Sequence, residues 1–106
     1  MSSTQSFESV RSQAVASLFY PGNRLELQQN VRDLLDETTQ DVDLPDNQIL
    51  RALIVPHAGY VYSGSTAAKA YRLLKKYRDE FRRIILLGPA HRVWIQGIAF
   101  PEVEAF

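Results

Sequence analysis

Two imidazoles carry the clearest chemical signal in this 106-residue chain, at His57 and His91, its only histidines. Neutral imidazole is the commonest side-chain ligand of transition metals and titrates near neutrality, so each residue suits metal binding or proton transfer. His57 stands two residues after the apolar run 51–55 (RALIV), and His91 four residues after the run 83–87 (RIILL). Both loops contain a proline, Pro56 and Pro89, which stiffens the backbone that presents the ring.

Those spacings imply the elements that must position the rings. Continuous apolar runs of this length suit strands covered on both faces, as in a parallel sheet. Between them, an Ala-rich stretch predicts a helix over about 66–78, capped by Ser63 or Ser65, with Ala67, Ala70, Tyr71 and Leu74 on its inner face. Its other side, with Lys69, Lys75, Lys76 and Arg78, reads as a solvated surface. Strand, helix and strand over 51–87 make a right-handed βαβ unit, hence an α/β fold with a mostly parallel sheet. In such sheets ligands bind beyond the carboxyl ends of the strands, which is where both histidines lie. If the strands are near neighbours, ~5–10 Å apart, the two rings converge on one rim.

Elsewhere, Asn23 followed by Glu26 forms a capping pair ahead of Leu27, Val31, Leu34 and Leu35, and predicts a helix over about 24–38. Before it, the short apolar segment 14–21 closes on the turn residues Pro21 and Gly22. Residues 1–12 read as a flexible leader, 39–48 as a solvated, Asp-rich linker, and 95–100 as a third strand. Trp94 and Phe100 read as core or interface residues.

A second motif shares the His57 loop. Gly59 and Gly64, with Ser65 and Thr66, have the spacing of a phosphate-binding loop between strand and helix. Ser65 stands where that loop needs lysine, and two tyrosines occupy the turn, so the sequence argues against nucleotide hydrolysis. Helix amides near Gly64–Thr66 holding a carboxylate or a single phosphate is the residual reading. Tyr60 and Tyr62 either line a pocket, donating from their phenols, or simply cover the helix start. Glu102 and Glu104 are nominal carboxylate ligands beyond the third run and fit a solvated role better.

Composition narrows the field. A chain 45% hydrophobic and 23% charged is ordinary for a globular domain, and twelve basic residues balance twelve acidic ones, which removes the electrostatic argument for nucleic acid. No stretch approaches the ~20 apolar residues of a membrane span, and the N-terminus carries no export signal, so a cytoplasmic location is expected. Cysteine is absent, which removes thiolate ligands and cysteine nucleophiles.

The segments PHAGYVYSG (56–64) and LLGPAHRV (86–93), with AVASLFYPGNRLELQQNV (14–31), resemble the Memo family, also called the AmmeMemoRadiSam system protein B group. The resemblance runs over 12–100 with the motifs in family order and spacing. It implies a three-layer fold similar to the class III extradiol dioxygenases, in which two histidines and a carboxylate bind Fe(II). By that likeness His57 and His91 match metal ligands for iron or copper, Tyr60 belongs to the reactive vestibule, and the activity is that of a dioxygenase-like oxidoreductase. The family's name implies an AMMECR-type domain protein and a radical-SAM protein as partners.

Three departures bear on this. Ala90 stands where many members have serine, and Ser63 where some have cysteine. Family members are also more than twice this length, so 13–106 is expected to be the N-terminal portion of a single Memo-like α/β domain. Its site would then be half-built, with weak or no turnover alone, and its sheet edge open to self-association. The alternative is a non-catalytic module whose vestibule, around His57, Tyr60 and His91, recognises a peptide or small acid.

Overall fold

Helix α1, Arg24–Asp36, begins where the sequence places its cap. Asn23 keeps an extended backbone, and its side-chain oxygen accepts from the Leu25 and Glu26 amides at 2.9 and 3.2 Å, satisfying two donors that the helix cannot. Leu27, Val31, Leu34 and Leu35 form its half-buried stripe. Gln29 donates to Asp33 one turn on, at 2.7 Å, on the outer face. Asp36 and Glu37 oppose the negative end of the helix dipole, which favours stopping there. Asn23→Ala is expected to cost about 1 kcal/mol, read as a lower urea midpoint with an unchanged slope.

The structure is a computed structural model and describes residues 10–37, 43–104 and 106. Most of the expected leader and part of the 39–48 linker lie outside the described residues. The chain divides into two compact units, Val15–Arg83 and Met1–Ala14 with Ile84–Phe106.

In the first unit, α1 packs on a second helix, α2, Tyr60–Lys76. Gly64 permits the approach, since a β-carbon there would stand 2.9 Å from Leu34 Cδ1. Two turns later Arg72 donates to the Leu35 carbonyl at 2.8 Å, and Ser65 Oγ donates to Glu37 Oε2 at 3.1 Å. The residues buried on α2 are Gly64 and Ala68, so the stripe facing α1 is 64, 68 and 72. The face expected from the sequence, Ala67, Ala70, Tyr71 and Leu74, is rotated from it and only partly covered. The apolar count there was right, but it could not show that small residues would take the contact. Lys75 and Lys76 complement the carboxyl end of α2, which passes through Tyr77 into a 3-10 turn, Arg78–Glu80. Lys76 pairs with Asp43, and the Leu44 amide donates to the Tyr77 hydroxyl at 3.2 Å, fastening the 43–50 segment to this end.

The expected parallel sheet is not formed among the described residues. The runs 51–55, 83–87 and 95–100 are irregular backbone without a ladder, and an isolated bridge joins Ala16 and Tyr20. An apolar run becomes a strand only when neighbouring strands take its amides and carbonyls, and among the described residues none lies alongside these. Ile54 is fully exposed and Leu86 is 81% exposed, where a strand buried on both faces would hide them. In the unit containing Ile84–Phe106, the Arg11 guanidinium sits 6.0 Å from the centre of the Phe106 ring. Trp94 and Phe100 are exposed rather than core.

Candidate functional site

The start of α2 decides what the His57 loop can do. The helix opens at Tyr60, six residues earlier than its sequence suggests, with Gly59 as a cap that has no side chain. What replaces the missing serine cap is a carbonyl distant in sequence. The Tyr60 amide donates to Phe19 O at 2.7 Å, and Tyr62 and Ser63 donate to Gly59 O at 2.9 and 3.1 Å. Gly59 packs closely there, where a β-carbon would stand 3.4 Å from that same Phe19 carbonyl oxygen. Ser63 and Ser65, the two expected caps, both lie inside α2; the Ser63 hydroxyl donates instead to Ala58 O at 3.1 Å.

The phosphate-loop reading therefore fails on geometry as well as on its missing lysine. Residues 60–66 are helix, so Gly64, Ser65 and Thr66 sit inside α2, where their amides do not form an open anion cradle.

Phe19 is delivered by a closed turn. Leu18 and Phe19 amides both donate to Val15 O at 3.1 and 3.0 Å, and the Ser17 amide donates to Tyr20 O at 2.7 Å. Ser17 takes a left-handed backbone, φ 68°, and Gly22 packs against its hydroxyl. The turn sets the Tyr20 ring 5.8 Å from that of Tyr60, tilted by 39°. Partial burial, with smaller contributions from Tyr20 and Tyr71, raises the Tyr60 phenol above its ordinary value. It keeps its proton at neutral pH and can donate. The two sequence alternatives for Tyr60, pocket wall or cover for the helix start, are here the same position.

Around these residues lies an open groove of about 480 Å³, lined by the 15–21 turn, the first turns of α2 and one face of α1. Asn30 and Leu34 supply that face, and Glu37 the cap that ends the helix. Sequence reading passed over Asn30 and Glu37, although a signal existed: Asn30 is three residues after Leu27 and four before Leu34, a polar residue set in an apolar stripe.

His57 is exposed and lies two residues before the Gly59 cap, in the unit Val15–Arg83. His91 is exposed in the other unit, at the bend that follows Gly88 and Pro89. Glu102 and Glu104 are exposed as well. No group of three His, Asp or Glu residues with metal-binding proximity occurs among the described residues. Their pairing at one ion rests on the sequence.

Comparison with known proteins supplies the remaining observation. The model of the family described as Memo-like protein matches residues 11–106. A MEMO1 family protein of Nitrosopumilus maritimus is 38% identical over 77% of this chain and 30% of its own length. The protein memo-1 homolog of Caenorhabditis elegans is 37% identical over 93% of this chain and 26% of its own length. Protein MEMO1 of Mus musculus is 45% identical over 53% of this chain and 18% of its own. The chain thus spans about a third or less of these relatives. No solved structure matches it.

Proposed function

Because the chain belongs to the family of Memo-like proteins, we propose that it supplies two ligands, His57 and His91, to a metal-dependent, dioxygenase-like oxidoreductase site. The observation that carries this reading is that both histidine motifs fall inside the matched stretch, residues 11–106. The donor set fits the group: two neutral imidazoles suit iron or copper over the oxygen-seeking magnesium or calcium. Both residues are exposed. Held by imidazoles with positions left open, iron or copper supplies Lewis-acid and redox chemistry.

The chain's own residues contribute binding and orientation. Pro56 and the Gly59 cap fix the short segment that carries His57 to the start of α2. Tyr60, whose phenol is protonated at neutral pH and is raised further by partial burial, serves in this reading as a hydrogen-bond donor to a bound substrate. Two ligands fix neither a coordination geometry nor a choice of metal, so turnover by this chain alone is expected to be weak or absent. The proposal extends to an AMMECR-type domain protein and a radical-SAM protein as partners, and to a cytoplasmic place of action. No helix among the described residues is long and apolar enough to cross a membrane.

Calorimetric titration with Fe(II), under anaerobic conditions, or with Cu(II) tests the site. His57→Ala and His91→Ala are each expected to weaken binding about tenfold or more, equivalent to about 1.4 kcal/mol. Equal affinity in the parent and both variants would falsify the metal site. The groove at Tyr60 favours a second reading, a non-catalytic binding module. Its peptide form is the better supported, since Glu37 is the only charged residue among the described residues lining the groove and would repel a small acid. Binding that persists in chelator is its mark.

A further inference from the structure

We draw no further inference here: the strongest candidate, the open groove between the 15–21 turn, one face of α1 and the first turns of α2, is an apolar and aromatic face on which Leu18, Val61 and Tyr62 stand exposed, and nothing in the structure shows what covers it.

Discussion

Replacing Ala68 with aspartate is expected to unfold the helical pair. Ala68 is 5% exposed and is the only buried hydrophobic residue among those described. It lies on α2 between two anchors to α1, one turn after Gly64, which fits under Leu34, and one turn before Arg72, which holds the Leu35 carbonyl. A carboxylate at that point brings three extra heavy atoms into a close contact and a charge without a partner. Overpacking and an unmatched polar group together cost on the order of 3–5 kcal/mol. Small domains are commonly stable by only ~5–15 kcal/mol, and a chain with so little buried apolar surface belongs at the bottom of that range. Far-UV circular dichroism of Ala68→Asp should therefore show most of the helical signal lost at 25 °C, where the parent retains it. Lys69→Asp, the neighbouring residue on the exposed side, separates burial from helix propensity and should shift stability by no more than about 0.5 kcal/mol. If both variants melt alike, α1 and α2 do not meet at this position.

Local signals were readable from sequence, and signals that depend on distant chain were not. Asn23 could be recognised as a cap because its partners are two and three residues away. The Tyr60 start could not, because its amide is taken by Phe19, and no spacing rule links residues 19 and 60. The inner face of α2 was misjudged for a similar reason. Periodicity ranks residues by bulk, yet the contact went to Gly64 and Ala68, where smallness allows the backbones to approach. For the runs 51–55 and 83–87, apolar content indicates burial in a sheet only if that sheet exists, and a chain spanning 26–30% of its relatives' length does not carry a ladder for them among the described residues. Of the proposed site, the histidine motifs are legible as types and spacing, and the family match covers the residues of both. The groove was legible only in Asn30, a polar residue out of place on an apolar stripe. Its meaning needed the turn and α2 in position.

The run that failed to become a strand should drive self-association. Ile84, Ile85, Leu86 and Leu87 are 71 to 84% exposed, consecutive, and within a unit whose described residues contain no regular element. Such a segment exposes apolar side chains together with backbone donors and acceptors, the combination that recruits a second strand. Arg82 and Arg83 immediately precede it. In-register parallel pairing would set those arginines against their own copies, whereas antiparallel pairing displaces them from each other. A two-fold antiparallel contact is the expected form, weakly sensitive to salt; parallel stacking would strengthen steeply as salt screens the arginines. Ile85→Lys with Leu87→Lys removes two apolar side chains of one face and puts lysines where natural edges carry them. Losing burial of about 1.5 kcal/mol at each of the two positions in both copies weakens association by roughly four orders of magnitude, seen by sedimentation as a shift of the monomer range to higher concentration. The concentration-dependent amide I band of intermolecular β-structure should vanish with it. Because these side chains are exposed in the single chain, the helical dichroism should not change. Unaltered sedimentation in the double variant would place the contact elsewhere on the molecule.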